Sequence, residues 1–261
     1  MTALLADELW TPGYREWLPS ASLRHALACY WVAVVPQDAA PRPANVLPDL
    51  CTDLIWESGR GAFVAGPDTG PAPTVTAPGT VLAGARFRPG AGGPALGLSL
   101  AELRDQRIDF ACLQPKLAEA LRPDLTPAQA VGAVTQLAAR LVGEHPPDEL
   151  VVQAGTLLAI RRTSVDDLAS AVCVSDRQLR RRFAEAVGYG PKVTERVLRF
   201  RRVMKNLTDG GDTLDLARLA VEAGYADQAH LTRETTRLSG LPPRALARSL
   251  RPAPAEAGSM G

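Results

Sequence analysis

Hydrophobic residues recur at helical spacing through the C-terminal hundred residues of this chain. From Ser164 to Gly188, a short amphipathic pattern is followed by a turn and by a second pattern, in which Leu179 and Phe183 stand four residues apart. Residues i and i+4 of a helix share one face, so these two side chains are predicted to point into a core. Residues 212–240 repeat the arrangement. The pattern therefore predicts two helix-turn-helix units.

Small residues and turn residues stand at corresponding positions of the two units. A helix-turn-helix needs a small side chain where its helices cross and a turn residue that tolerates positive φ. Ala169 and Ala220, which are 51 residues apart, meet the first need. Gly224 meets the second, whereas Cys173 of the first unit is a poorer turn residue than glycine. Between the units, a linking helix is predicted from Pro191 to about Leu207, and it carries six Lys and Arg residues.

The second helix of each unit, called here the reading helix, places hydrogen-bond donors opposite its apolar residues. Ser175 and Gln178 form a capping box that predicts a helix over about 176–187, and Asp227 is predicted to cap one over about 228–238. Arginine suits bidentate contact with guanine and contact with phosphate, and bases are contacted near the start of such a helix. The residues predicted to bind DNA are Arg177, Gln178, Arg180, Arg181, Lys192, Gln228, His230, Thr232 and Arg233. One such helix alone is typical of an ordinary solvated surface. Two copies joined by a basic helix favour a DNA-binding function.

The C-terminal hundred residues resemble the DNA-binding domain of the AraC/XylS family of transcription regulators. The resemblance is carried by the segments SDRQLRRRF, VGYGPK, RVLRFRR, GYADQAHLTRE and SGLPPRAL. It implies two helix-turn-helix units that dock into successive major-groove segments on one face of DNA. Thr235 stands where the family usually has phenylalanine, Thr194 where it has an aromatic residue, and Ala229 where it has a polar one. The base contacts that the resemblance implies are those of Arg177, Arg180, Arg181, Gln228, His230 and Arg233.

The N-terminal half shows the alternation and the β-branched and aromatic content of strands. Glycine and proline separate the strand patterns at intervals of roughly ten residues, which is typical of a small β-barrel or sandwich. The predicted strands lie in residues 25–35, 46–59, 61–66, 73–78 and 81–90. Residues 1–23 are predicted to be irregular. Helices are predicted after a capping box at Ser99 and Glu102, over 113–121, from Pro127 to about 142 and from 148 to about 162.

These elements predict an α+β protein. Its first domain (1–146) is a small β-barrel-like domain with trailing helices, and its second (147–250) is an all-α domain with two helix-turn-helix units joined by a linking helix. Residues 251–261, rich in Pro, Ala and Gly, are predicted to be disordered. The segments LPDLCTDLIW and GARFRPGAGGPALG resemble the N-terminal domain of a subset of the same family. That resemblance implies that the first domain senses a small molecule or makes dimer contacts.

The net charge of +1 hides an asymmetry. Residues 151–250 hold 17 Lys and Arg against 11 Asp and Glu, a net +6, while the other residues hold 12 against 17, a net −5. A basic C-terminal half favours a polyanionic partner. The longest apolar run, Ala26–Val35, is shorter than the ~20 residues that a membrane span needs. With no signal-peptide pattern and no CxxC among four cysteines, we expect a cytoplasmic protein with reduced thiols and no membrane partner.

Three other chemistries are conceivable in the N-terminal half. One is a metal site, because residue types that bind metals occur at His25, Cys29, Cys51 and Asp53. The favoured interpretation of these residues is structural, as buried cysteines beside a histidine. Another is a reactive thiol at Cys51, but its neighbouring carboxylates would raise the pKa of the thiol and lower its reactivity. An effector pocket could be lined by aromatic residues, with an arginine for an anionic group, although aromatic residues on strands are usually core. The residues of this pocket are Trp31, Trp56, Phe63, Phe87, Arg86 and Arg88.

The sequence thus predicts a DNA-binding transcription regulator that is controlled by an effector and is not an enzyme. A phosphate-binding glycine loop and a nucleophile elbow are both missing from it, and it calls for no cofactor. The expected partners are double-stranded DNA, a small-molecule effector, RNA polymerase and a second copy of the chain. One alternative is an effector- or protein-binding module that has lost specific DNA readout. Another is a thiol- or metal-dependent sensor.

Overall fold

The structure is a computed structural model that describes residues 10, 12–40, 43–160, 163–209 and 214–250. The predicted disorder of residues 251–261 lies outside the described residues. Within the described residues, no helix combines the length and the hydropathy that crossing a membrane requires.

The N-terminal half is built on strands, as predicted. They are β1 (Gly13–Trp17), β2 (Leu27–Val34), β3 (Pro43–Val46), β4 (Thr52–Glu57), β5 (Gly61–Ala65), β6 (Ala72–Val75), β7 (Val81–Phe87) and β8 (Arg107–Asp109). Six of them pair antiparallel in the order β1-β2-β7-β4-β5-β8, and β3 pairs with β6. The β-rich domain is confirmed. Its six-stranded sheet is not closed, since β1 and β8 form its two edges.

The prediction that residues 1–23 are irregular is wrong where the structure describes them. Residues 13–17 form β1, which pairs with β2 in the register Glu16 to Trp31, and Ala21–Leu23 form a short 3-10 helix. As an edge strand, β1 is mostly exposed, and Tyr14 is 52% exposed. Such a strand lacks the buried, alternating face by which a strand is recognised in sequence.

The helices follow the sheet. They are α1 (Gly92–Leu96), α2 (Leu100–Leu103), α3 (Phe110–Leu113), α4 (Pro115–Ala118), α5 (Pro127–Glu144), α6 (Glu149–Ile160), α7 (Val165–Ala171), α8 (Asp176–Val187), α9 (Pro191–Asp209), α10 (Leu216–Ala223), α11 (Gln228–Ser239) and α12 (Pro243–Leu250). Thr126 and Gln129 form a capping box at α5. The capping box predicted at Ser99 is wrong, because the Ser99 side chain makes no cap hydrogen bond and α2 has only four residues. The helix predicted over 113–121 begins at Pro115 and ends in a 3-10 turn, Glu119–Leu121.

Among the described residues, three large hydrophobic cores and a small cluster around Trp31 and Phe63 hold the chain together. The first joins one face of the large sheet to α5, the second lies among α6, α7, α8 and the start of α9, and the third lies among the rest of α9, α10, α11 and α12. Leu50 comes from the N-terminal half but is buried in the second core, and Leu47 packs on the third. The domain boundary near residue 146 stays a prediction.

The two halves are closely packed where α1 and α2 meet α8. A Cβ added to Gly93 would lie 2.7 Å from the Glu185 carbonyl oxygen, and one added to Gly188 would lie 3.0 Å from the Leu100 carbonyl oxygen. Gly188 also ends α8 with φ +91, a conformation that favours glycine. The first reading helix therefore contacts the N-terminal half at its C-terminal end.

Candidate nucleic-acid interface

The two helix-turn-helix units have the same turn. In the first, the Val174 amide donates to the Ala169 carbonyl at 3.0 Å, and in the second, the Tyr225 amide donates to the Ala220 carbonyl at 2.8 Å. The turn residues, Cys173 and Gly224, both have positive φ, +56 and +85. The cysteine thus occupies the left-handed conformation that the sequence comparison of the two units predicts. For a residue with a side chain this conformation costs about 1–2 kcal/mol.

The reading helices are α8 and α11, twelve residues each, and both are capped as predicted. Ser175 and Gln178 form the capping box of α8, and the Asp227 carboxylate accepts the His230 amide at 2.6 Å. The second turn is one residue longer, because α11 starts 52 residues after α8 whereas the turn residues are 51 apart.

The inner faces of the reading helices differ. By position along the helix, Leu179 corresponds to Leu231, and Phe183 corresponds to Thr235, and all four side chains are fully buried. The Thr235 hydroxyl has no hydrogen-bond partner among the described residues. Ser239, one turn later, donates to the Thr235 carbonyl at 2.7 Å. The second unit therefore has polar groups where the first has aromatic and aliphatic carbon.

The outer face of α8 carries three exposed arginines. Arg180 pairs with Asp176 at 2.9 Å and Arg181 with Glu185 at 3.3 Å, both within the helix. Arg177 makes no ion pair with any residue that the structure describes. Gln178 is exposed, but its side-chain oxygen is committed to the capping box, where it accepts from the Ser175 amide at 3.0 Å. Only its amide N–H groups remain free for DNA.

The outer face of α11 is less basic. Gln228 and Arg233 are exposed, and the Thr232 hydroxyl donates to the Gln228 carbonyl of its own helix at 2.9 Å. His230 is half-buried, and its ring packs edge-on against Tyr225 with the centroids 5.2 Å apart. Its position is thereby fixed, with part of the imidazole left accessible.

The linking helix α9 connects the units and fastens them. Its nineteen residues correspond to about 28 Å. Arg196 pairs with Glu234 of α11 at 3.0 Å, and both side chains are mostly buried. Arg202 donates to the Ala159 carbonyl at the end of α6 at 2.7 Å. Lys192 is exposed in the first turn of α9, and with Arg180 it lines the same surface cavity of the first unit.

The residues predicted to line an effector pocket divide between the two faces of the sheet. Trp31, Phe63 and Arg86 lie on one face, where the Trp31 ring covers Gly84 so closely that an added Cβ would lie 2.2 Å from it. Trp56 and Phe87 lie on the opposite face, fully buried in the core with α5, and the Trp56 indole donates to the Arg122 carbonyl at 2.8 Å. Neighbouring residues of a strand point to opposite faces, so one pocket cannot contain all of them. Arg88 is exposed beyond the end of β7.

A partly buried charge cluster lies on the Trp31 face. The Asp53 carboxylate accepts from the Trp31 indole at 2.7 Å and from the Arg86 guanidinium at 3.1 Å, and Asp49 lies 3.8 Å from the same guanidinium. Burial raises the pKa of Asp53 from 3.8 to about 6, against the opposing effect of Arg86. The cluster holds β2, β4 and β7 together at the start of β4.

The thiols of Cys29 and Cys51 are not activated, because their pKa values are raised. Burial, and then the neighbouring carboxylates Asp49 and Asp53, raise the pKa of Cys51 well above its ordinary value, as its flanking residues predict. Burial also raises the pKa of Cys29, to about 11. His25 is exposed and precedes β2, so it does not share a strand with Cys29. In the described ranges, no three His, Cys, Asp or Glu side chains are grouped so as to hold a metal ion.

Two family models match the sequence. A helix-turn-helix domain model matches residues 168–249, and a domain of unknown function (DUF6597) matches residues 15–109. A comparison with curated protein sequences found no match.

The chain is also similar to several solved structures. One, a transcriptional regulator with an AraC-type DNA-binding domain from Chromobacterium violaceum, is 23% identical, with 40% of this chain and 96% of that chain covered and a TM-score of 0.37. Another, a probable AraC family transcriptional regulator from Rhodopseudomonas palustris CGA009, is 20% identical, with 40% and 100% covered and a TM-score of 0.36. ToxT from Vibrio cholerae O395 is 9% identical, with 86% and 99% covered and a TM-score of 0.45.

Proposed function

We propose that this chain, whose residues 168–249 form an AraC-type helix-turn-helix domain, reads a specific duplex sequence through two successive major-groove segments. The domain makes the chain a DNA-binding transcription regulator. The observation that carries the finer proposal is the repetition of one turn and one capped reading helix in two units, each with exposed donors. A single-site reader does not need the second copy.

The first unit supports a contact that combines charge and direct readout. Arg177, Arg180 and Arg181 are exposed along α8, and arginine binds guanine and phosphate bidentately. Arg180 and Arg181 must exchange their exposed intrahelical carboxylate partners for DNA, which costs little because exposed pairs contribute only about 0–1 kcal/mol. Arg177 needs no such exchange.

The second unit supports a smaller contact. Arg233 corresponds by helix position to Arg181, whereas Ala229 corresponds to Arg177 and Thr232 to Arg180. We infer that Gln228, Arg233 and the accessible edge of His230 read bases there. The linking helix, about 28 Å long, is close to the roughly 34 Å that separates successive major-groove segments on one face of B-DNA.

Selection of duplexes bound by the full chain from a random pool tests this proposal. Two enriched motifs about one helical turn apart are expected. Arg181→Ala should cost on the order of 1–3 kcal/mol and relax the preference at one base pair. Arg244→Ala, an exposed arginine of α12, is the matched control and should leave the motif unchanged. Binding without enrichment would contradict sequence-specific reading. The DNA affinity would then come from phosphate contacts and not from base contacts.

We infer further that an effector held by the N-terminal half controls DNA binding. The support is the close packing of that half on α8, at Gly93 and Gly188. Any change in the N-terminal half that moves α1 or α2 displaces the end of a reading helix. The rival function, a binding module without DNA readout, predicts no salt-dependent duplex binding at all. RNA polymerase and a second copy of the chain stay predicted partners.

A further inference from the structure

Tyr225, the residue that follows the turn glycine of the second unit, lies between the linking helix and a side chain proposed to read bases. It is 4% exposed. Its ring meets the His230 ring edge-on, with the centroids 5.2 Å apart and the planes at 85°. The guanidinium carbon of Arg199, on α9, lies 5.3 Å from the centroid of the same tyrosine ring. One aromatic ring therefore contacts both the second reading helix and the linking helix.

A second contact joins the same faces of the two helices. Glu234 stands four residues after His230 on α11, so the two side chains share a face of that helix. Arg196 stands three residues before Arg199 on α9, so these two share a face as well. The Arg196 guanidinium pairs with Glu234 at 3.0 Å, with the side chains 27% and 16% exposed. The face of α11 that carries His230 is therefore held against α9 at two points about one turn apart.

The two units fix the third residue of their reading helices by different means. In the first unit this residue is Gln178, and its side-chain oxygen accepts from the Ser175 amide in the capping box. In the second unit it is His230, whose ring packs on Tyr225. Val174 stands in the first turn where Tyr225 stands in the second, since their amides make the same turn hydrogen bond. The tyrosine ring thus takes the place that the capping box has in the first unit.

The ring of Tyr225, rather than its hydroxyl, makes these contacts. The hydroxyl is buried and has no hydrogen-bond partner in the described ranges. Burial raises the pKa of Tyr225 to about 12, against the opposing effect of Arg199, so the phenol is neutral at physiological pH. A cation is attracted to the face of an aromatic ring whether or not the ring carries a hydroxyl. Phenylalanine should therefore keep the contacts of Tyr225, and leucine should lose them.

The orientation of His230 decides what its side chain offers to DNA. The residue is half-buried, so only part of the imidazole reaches outward. A neutral imidazole has one donor and one acceptor nitrogen, and different base edges require one or the other. A ring held in one orientation presents the same nitrogen each time and loses little side-chain entropy on binding. Rotation of the ring would exchange the two nitrogens or turn both away from the groove.

We propose that Tyr225, backed by Arg199 of the linking helix, is a positioning residue that sets the orientation of His230 and thereby the base preference of the second unit. This inference rests on the proposed function for its effect on DNA reading. The orientation of His230 exists without DNA and can be measured without it.

Nuclear magnetic resonance of the full chain, with isotope-labelled histidine and without DNA, tests the orientation. His230→Gln identifies which of the three histidine signals belongs to His230. Because an aromatic ring shifts the resonances of nearby protons, the imidazole C–H signals of His230 should lie apart from those of the exposed His25. We expect Tyr225→Phe to leave them in place and Tyr225→Leu to move them toward those of His25. Signals unchanged in Tyr225→Leu, or moved as far in Tyr225→Phe, would overturn the proposal.

Two arginines of α9 test the contribution of the linking helix. Arg199→Gln keeps the tyrosine ring and removes the cation from a half-buried side chain, so it also serves if Tyr225→Leu does not fold. It should move the His230 signals part of the way toward those of His25. Arg201→Gln removes an exposed cation from the same helix and is the matched control, which should leave the signals in place. No shift in Arg199→Gln, or an equal shift in the two variants, would overturn the role of Arg199.

Selection of duplexes separates this inference from the proposed function. Tyr225→Leu should relax the preference at the base pair read by His230, roughly tenfold or more, and leave the first-unit motif unchanged. Tyr225→Phe should select both motifs. A loss shared equally by the two motifs would show a purely structural role and overturn the inference.

The two proposals fail in different ways. If the His230 signals behave as expected but the wild type selects no motif, Tyr225 positions His230 and the proposed reading fails. If the wild type selects two motifs and Tyr225→Leu leaves the second unchanged, the reading stands and the role of Tyr225 fails.

Discussion

Replacing Thr235 by valine should stabilise the protein. The Thr235 side chain is 0% exposed in the third core, and within the part of the chain that the structure describes its hydroxyl has no hydrogen-bond partner. A buried, unpaired hydroxyl costs about 1–3 kcal/mol relative to its hydrated state in the unfolded chain. Valine has the same shape and the same β-branching, so helix propensity and packing volume change little. We therefore expect the free energy of unfolding to rise by about 1–2 kcal/mol.

The chain contains a matched control in Thr194. It is also helical and buried, at 2% exposed, but its hydroxyl donates to the Gly190 carbonyl. That carbonyl also accepts from the backbone amides of Val193 and Thr194, so it stays paired when the hydroxyl is removed. Thr194→Val should therefore cost about 0.5–1 kcal/mol, the net value of one neutral hydrogen bond.

Urea unfolding followed by far-UV circular dichroism measures both variants against the wild type. The midpoint should move up for Thr235→Val and slightly down for Thr194→Val, with the slope unchanged in each. If the two variants shift the midpoint equally, the hydrogen-bond state of the hydroxyl does not decide the effect. A midpoint lowered by Thr235→Val would mean that its hydroxyl has a partner in solution.

Other positions give further predictions. Cys173→Gly should stabilise the first turn, by up to about 1 kcal/mol, and Gly224→Ala should destabilise the second by about 1–2 kcal/mol, both by urea unfolding, because each turn residue has positive φ. With Ellman's reagent at neutral pH, the exposed Cys112 and Cys173 should react fast and Cys51 slowly, because the pKa of Cys51 is raised. Asp53 has a pKa raised from 3.8 to about 6, so its contribution to stability is complete below about pH 4 and is lost as the pH rises through 6. Measured against Asp53→Asn, the wild type should lose about 1 kcal/mol between pH 5 and pH 7.

Local chemistry could be predicted from the sequence where it depends on neighbouring residues. The capping box at Ser175 and the turn at Gly224 each involve residues no more than a few positions apart, and both are present. At Ser99 a helix does begin, as α2, but the Ser99 side chain makes no cap hydrogen bond and the helix has only four residues. The pattern of a capping box therefore marked the start of this helix without fixing its length or its cap hydrogen bonds.

Contacts between distant segments could not be predicted. Nothing around Leu50 in the sequence indicates that its side chain enters the core of the C-terminal half, nor that its φ is positive. The division of Trp31 and Trp56 between opposite sheet faces depends on the register of β2, β7 and β4, which the sequence alone does not fix. The exposed face of α8 was predictable, because helical periodicity alone assigns it.

The two reading helices are connected to the N-terminal half in different ways, and this constrains how an effector could act. The first is contacted directly, through Leu50 in its core and through α1 and α2 at Gly188. In the described ranges, the second is touched at its edge, by the partly buried Leu47 and near Gly240. A conformational change in the N-terminal half must therefore reach α11 largely through α9, whose Arg196 pairs with Glu234 of α11. Because a ligand shifts a conformation only by its differential contacts with the two states, an effector bound by the N-terminal half acts first on α8, and on α11 only as far as α9 moves with it.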